Sequence, residues 1–590
     1  MGIEGPGYSP PEVGCVASDG LSNLGEYCWN RGLRACLADT VTRTGIGPDR
    51  GCLALRGERR SDMGVCKEIP VIDLFAGPGG LGEGFSAFRG PGGVRAFRTR
   101  LSIEMDHHSH QTLMLRSFFR QFDDGEAPPA YYEYLRGEER WIGASVEDLL
   151  DEFPDQGQRA REEAWCEELR PEVADLVDER VSMALRKPRK RKDWVLIGGP
   201  PCQAYSLVGR ARMRGPQGDS FYEDGRHTLY REYLRIIAEH RPSVFVMENV
   251  KGLLSATSKN GDLVFRQILR DLERPPGSGL RYRLFPLSHD TDGLFDAASD
   301  CADPRDFIVK CEDHGVPQAR HRVIIVGVLE SKFGAGIQMP HFLPSVETPV
   351  SCDTAIETLP RLRSGLSRQP DSVDKWFQVL HAIPRERWFR RIQSNGQYDV
   401  AERIRTTVSE LHAPQKGRGG QFIATNRIPK FEADWFFDPQ LGGVCNHETR
   451  GHRADDLHRY IYVSCFGKTR RASPKLEDFP VDLLPQHQNV ARALKSGVFN
   501  DRFHVQLKGT PSRTITSHIS KDGHAFIHYD PTQCRSLTVR EAARFQTFPD
   551  NYFFEGPRTE QYRQVGNAVP PLLAREVASI VAQGLANGWK

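Results

Sequence analysis

Short apolar runs recur along the chain, and each ends abruptly at a polar or glycine-rich break. Val71-Ile72-Asp73-Leu74 stops at Phe75-Ala76-Gly77-Pro78-Gly79-Gly80-Leu81-Gly82. A second strand, Arg95 to Ile103, closes on Glu104-Met105-Asp106. Trp194-Val195-Leu196-Ile197 reads as a buried strand that Gly198-Gly199-Pro200-Pro201 then breaks into a turn. Val244-Phe245-Val246-Met247 runs into Glu248-Asn249-Val250, and Val323 to Val328 follows Gln318-Ala319-Arg320-His321-Arg322. A helix is expected from about Glu83, and further helices over Gln158 to Glu168 and Pro171 to Leu185.

The polar groups at these breaks suggest chemistry. Cys202 follows the two prolines in a loop where a thiol can meet a substrate. A single cysteine is more often a small core residue than a nucleophile. Glu248 stands at the end of its strand, where open α/β sheets keep active-site groups, although a glutamate there can also cap the next helix. Arg320 and Arg322, two apart, project to one side of an extended segment. Glycines after the first strand let a ligand approach the backbone, but their spacing is not that of a dinucleotide fold. An acid closing the second strand suits a ribose diol.

Six blocks together carry a family resemblance. They are Asp73 to Gly80, Pro200-Pro201-Cys202-Gln203, Glu248-Asn249-Val250, Gln318 to Arg322, Arg535 to Pro549, and Gln564-Val565-Gly566-Asn567-Ala568-Val569-Pro570. In this order they resemble the DNA (cytosine-5)-methyltransferases over about residues 68–330 and 510–580. The resemblance implies an α/β fold: a doubly wound, Rossmann-like methyltransferase sheet with a smaller inserted target-recognition domain. It implies S-adenosyl-L-methionine as cofactor and double-stranded DNA as partner. A bacterial cytoplasmic setting at the nucleoid, with a cognate restriction or defence system, also follows from it. A tRNA cytosine-5 methyltransferase and a catalytically silent DNA-binding regulator are the rival readings. The large recognition segment argues against the first, and intact Cys202, Glu248, Arg320 and Arg322 against the second.

By the same resemblance, Cys202 adds to carbon 6 of cytosine and makes carbon 5 nucleophilic. Glu248 bonds ring nitrogen 3 and the exocyclic amine, Arg322 holds the carbonyl oxygen, and Arg320 supports Arg322. The base must leave the stack, so Gln203 to Asp224 is expected as a closing loop. Phe75 packs on the adenine, Gly77 and Gly79 border the methionine moiety, and Glu104 takes the ribose hydroxyls. Asp73, Ala76, Gly80, Met105 and Asn567 complete the cofactor set. The family usually places an Asp after the third strand to hold the adenine amine. Here Gly143-Ala144-Ser145-Val146 is read as that stretch, with Ser145 or Asp148 in the acid's place.

Composition adds little. The chain has 590 residues, 39% hydrophobic and 26% charged, as in ordinary globular proteins. No apolar run reaches the ~18 residues of a membrane span, and no signal peptide is visible. Thirteen cysteines without a C-x-x-C pair argue against structural zinc, and no metal is expected. A net charge of +2 is weak for a DNA binder, so local patches must do the binding. Residues 1–67 lack periodicity and are expected to be a disordered extension or a mis-assigned start ahead of Met63. Residues 68–330 form the expected catalytic and cofactor domain, with a charged insertion over 149–192 that ends in Arg186 to Lys192. Residues 331–510 are the expected recognition domain, and 511–590 return to the catalytic domain. In the recognition stretch, Lys416 to Gln421 and Asn446 to Arg453 have side chains suited to major-groove readout.

Overall fold

The computed structural model describes residues 68–186, 193–201, 226–256, 264–288, 303–334, 336–486, 488–497 and 500–589. The extension 1–67, the basic run after Arg186, Cys202 and the expected closing loop lie outside the described residues.

The strands are β1 Ile69–Leu74, β2 Phe97–Glu104, β3 Ala164–Cys166, β4 Val195–Gly198, β5 Val244–Val250, β6 Tyr282–Phe285, β7 Ile308–Lys310, β8 Gln318–Ala319 and β9 His321–Leu329. The main sheet runs β3-β2-β1-β4-β5-β9-β6, with β7 also beside β9. The first five are parallel, and β9 lies antiparallel to β5, β6 and β7. This is the expected doubly wound α/β sheet.

Near-continuous apolar strands follow from cover on both faces. Val71, Ile197, Val246 and Ile324 point to one side, where Phe85 and then Val577 and Val581 cover them. Phe85 belongs to α1 Gly80–Ala87, and the two valines to the helix Pro571–Asn587. Ile72, Leu74, Leu196, Met247 and Ile325 point to the other side, against Val181, Tyr233 and Leu269. The C-terminal helix therefore closes one face of a sheet begun near residue 69. Helix α1 starts at Gly80, three residues before the expected Glu83.

The third strand is not where the sequence placed it. It is Ala164–Cys166, inside the stretch expected to be a charged helical insertion, and it pairs Ser102↔Ala164 and Glu104↔Cys166. Helices Pro154–Glu163 and Ala174–Leu185 flank it. Three residues between acidic neighbours carry no strand periodicity of their own, and the pairing with β2 selects the conformation. Ser145 instead caps the helix Val146–Asp151, in a reciprocal box with Asp148.

Beyond residue 331 the chain builds a helical core rather than a loop-rich surface. Trp376, Trp388, Ile404, Ile461 and Phe503 pack there, and Ile527 and Cys534 join from past residue 510. A hairpin of Gly419–Ala424 and Gly443–Glu448 packs elsewhere, with Ile423 and Val444 against Leu537 and Phe545. Within the polar stretch Asn446 to His452, Asn446, His447, Thr449 and His452 are buried. His447 is fully buried between the Thr538 hydroxyl at 2.9 Å and the Pro360 carbonyl at 2.8 Å, and burial pulls its pKa down to about 4. The Asn446 amide donates to the Phe554 carbonyl at 3.2 Å. These two side chains are committed to the fold, not free to read bases. Among the described residues no helix is long and apolar enough to cross a membrane.

Candidate active site

In a doubly wound sheet the strand order reverses between two neighbours, and ligands bind outside the carboxyl ends there. Here those neighbours are β1 and β4, with Leu74 opposite Gly198. Gly198 in turn pairs with Met247 of β5, so the chain at Gly199 passes beside Glu248. A Cβ at Gly199 would lie 3.1 Å from Glu248 Oε2, tighter than ordinary packing.

Glu248 is held from its other side. Its Oε1 forms an ion pair with Arg322 Nε at 2.8 Å, and both side chains are largely buried. Asn249, to which no role was given in the sequence, turns the opposite way, and its amide donates to the Pro200 carbonyl at 3.0 Å. The point two residues before Cys202 is thereby fixed to the end of β5. A cleft of about 1110 Å³ opens here. Arg322, His321 and Lys251 line it together with Arg492, Arg502 and Arg513. Glu312, Asp501 and Asp522 line it too and pair with His321, Arg513 and Arg502, so the cleft carries only a modest excess of positive charge.

Arg320 does not share Arg322's surroundings. It is fully buried and donates to the carbonyls of Ile515, Gly566 and Ala568. It lies between β8 and β9, not within one continuous strand, so the expected common side is lost.

The glycine turn after β1 divides into two parts. Phe75, Gly77 and Gly79 have φ of 57°, 57° and 95°, a left-handed path that is strained for a side chain such as Phe75. A Cβ on Gly77 would meet open space. The Gly77 amide donates to Glu104 Oε2 at 2.8 Å, and the Asp106 amide to Glu104 Oε1 at 2.7 Å. Burial raises the Glu104 pKa above the usual carboxylate range. Met105, next in the chain, is 55% exposed, and Asn567 is exposed at the end of its helix. Ala76, half-buried, extends the β2 pattern by bonding the Ile103 carbonyl at 3.1 Å.

Two expected cofactor residues face inward instead. A Cβ on Gly80 would lie 2.2 Å from the Val569 carbonyl, so this glycine serves helix packing. Asp73 is buried beside Gly82, and burial pushes its pKa up to about 8. The acid at the carboxyl end of the third strand is Glu167, whose amide bonds the Glu104 carbonyl at 3.2 Å. Its strand was hidden in the sequence, so no signal pointed to it. Among the described residues no cluster of His, Cys, Asp or Glu is placed to hold a metal.

The family model for the C-5 cytosine-specific DNA methylases matches residues 185–583. The chain belongs to that family. The Type II methyltransferase M.Bpa9945I of Bacillus paralicheniformis is 30% identical over 523 residues, covering 87% of this chain and 98% of that one. M.AgeI of Thalassovita gelatinovora, also named a Type II methyltransferase, is 28% identical over 407 residues, 66% of this chain and 82% of its own. The DNA (cytosine-5-)-methyltransferase M.ApeKI of Aeropyrum pernix is 27% identical over 424 residues, 66% of this chain and 81% of its own. The chain is a DNA (cytosine-5-)-methyltransferase, which transfers a methyl group to carbon 5 of cytosine in DNA.

Proposed function

We propose that Cys202, Glu248 and Arg322 carry the methyl transfer, on a cytosine flipped into the cleft. The observation that carries this reading is the Glu248–Arg322 bridge beside the tethered Pro200 carbonyl. Carbon 5 of cytosine is a poor nucleophile. The Cys202 thiolate adds to carbon 6, and the ring electrons shift to carbon 5. Glu248 faces ring nitrogen 3 and the exocyclic amine, and a proton shared between the carboxylate and nitrogen 3 offsets the charge that builds there. Arg322 keeps Glu248 oriented and offers its remaining donors to the carbonyl oxygen at carbon 2. Carbon 5 takes the methyl group, water acting as base removes the proton from carbon 5, and the electron pair left behind breaks the bond at carbon 6 and releases Cys202 as the thiolate.

The cofactor is read as S-adenosylmethionine, which supplies the methyl group. The residues present suit it. Gly77 faces open space, Glu104 presents a carboxylate bordered by two amides, and Met105 offers an exposed apolar side chain. We assign Phe75, Ala76, Gly77, Gly79, Glu104, Met105 and Asn567 to this pocket. Glu167 takes the place expected of Ser145 at the adenine amine.

The Type II names of the relatives favour a restriction–modification setting in a bacterial cytoplasm. They also favour duplex DNA over tRNA and an active enzyme over a silent regulator. Cys202→Ala tests the reading directly. It should abolish methyl transfer and leave cofactor affinity unchanged. A duplex with 5-fluorocytosine at the target should trap the natural enzyme covalently, because fluorine blocks the final proton loss. Methylation by Cys202→Ala near the natural rate would overturn the mechanism.

A further inference from the structure

Arg320 is buried completely, yet among the described residues no carboxylate lies within ion-pair distance of it. A guanidinium without an anion in the interior is costly, and burial holds its pKa down to about 9. Carbonyl oxygens provide the compensation. Nη1 donates to Ile515 at 2.8 Å and Gly566 at 3.3 Å, and Nη2 donates to Gly566 at 3.3 Å and Ala568 at 2.7 Å. The held carbonyls at 566 and 568 bracket Asn567, which is exposed between two buried neighbours.

Two glutamines reinforce the clamp. Gln546 donates to the carbonyls of Val565 at 2.7 Å and Ala568 at 3.2 Å. Gln318 donates to Gln546 Oε1 at 3.1 Å and accepts from the Ile515 amide at 2.7 Å. The junction of β8 and β9 and the turn at 565–568 are thus one hydrogen-bonded body. Two residues beyond Arg320, Arg322 grips Glu248.

We propose that Arg320 is a positioning residue for the cofactor and not a contact for the base. It fastens the turn that carries Asn567 to the strand that carries Arg322, so cofactor seating and alignment of the Glu248–Arg322 pair are set together. This rests on the reading that Asn567 borders the cofactor pocket. A lysine keeps the charge but lacks the planar fork that spans three carbonyls.

The test compares Arg320→Lys and Asn567→Ala by calorimetric titration with S-adenosylmethionine, and by duplex binding without cofactor. Arg320→Lys should weaken cofactor binding by ~10-fold or more, the size of losing about one charge-assisted hydrogen bond. Duplex affinity should stay within about twofold of the natural enzyme's. Duplex affinity lost with cofactor affinity intact would instead make Arg320 a substrate contact. Asn567→Ala should also weaken cofactor binding. If it does not, the reading of Asn567 fails. If it does while Arg320→Lys binds normally, the clamp proposal fails.

A second measurement needs no variant. In the natural enzyme, S-adenosylhomocysteine should slow amide exchange in residues 318–322 together with 565–568. Protection confined to 565–568 would overturn the coupling.

Discussion

Glu248 and Arg322 are diagonal neighbours across two antiparallel strands. Glu248 pairs with Ile324 and Arg322 with Val250, so both side chains leave the same face of the sheet and meet at 2.8 Å. This register fixes the acid and its cation to a rigid sheet. Strand β4, which leads towards Cys202, pairs with the other edge of β5.

Removing either member should therefore damage chemistry more than fold. Glu248→Gln and Arg322→Ala should each lower single-turnover methylation by at least ~100-fold, the usual size of a lost acid/base or charge-stabilising group. Cofactor affinity should hardly change. Near-normal turnover in either variant would place the ring-nitrogen contact elsewhere.

Asn249 makes a separable contribution. Asn249→Ala frees the Pro200 carbonyl while leaving the Glu248–Arg322 bridge in place. Melting should shift by the equivalent of about 1 kcal/mol, the net value of one buried hydrogen bond. The rate of covalent trapping by 5-fluorocytosine duplexes should drop by a larger factor, because the thiol's approach is no longer set. A variant that melts lower yet traps at the natural rate would make the bond purely structural.

The strand ends were legible because most of the buried strands announce themselves as apolar runs that stop or start at a distinctive break. Glu248 and Glu104 stand towards the carboxyl ends of such runs, and Arg322 stands at the start of one. What was hidden depends on distant partners. The three residues of β3 have no pattern of their own and become a strand by pairing with β2. Arg320 and Arg322 look equivalent in sequence, but the return of residues 515–568 buries one and leaves the other facing the cleft. Likewise Val569 comes back against Gly80, whereas Gly77 faces open space. The expected recognition stretch read as irregular because most of its helices are short, although Ala454–Arg470 spans 17 residues, and because some of its polar side chains, Asn446 and His447 among them, are buried in the fold.

The exchange of Ser145 for Glu167 gives a paired test. Glu167→Ala should weaken S-adenosylmethionine binding by roughly tenfold, as expected for one hydrogen bond to a charged group. Ser145→Ala should leave that affinity unchanged and cost about 1 kcal/mol of stability through the lost helix cap. The opposite pattern would restore Ser145 to the cofactor pocket.

Asp73 should report its burial through pH. Desolvation is the largest influence on it and pushes its pKa from 3.8 to about 8, with the Arg120 charge and the Gly82 amide opposing only in part. In the unfolded chain the carboxyl ionises near pH 4, whereas in the folded protein it keeps its proton to near pH 8. The folded state thus binds more protons between these values. Stability carried by this group must fall as pH rises through that window, at up to about 1.4 kcal/mol per pH unit. Asp73→Asn keeps the shape and removes the titration. Denaturant unfolding at pH 5.5, 6.5 and 7.5 should show the variant gaining on the natural protein at each step. Cofactor affinity should stay within about twofold, since the side chain lies beside Gly82 inside the fold. A stability difference that does not change with pH would mean that Asp73 is ionised in the folded enzyme. A large loss of cofactor affinity would return it to the pocket.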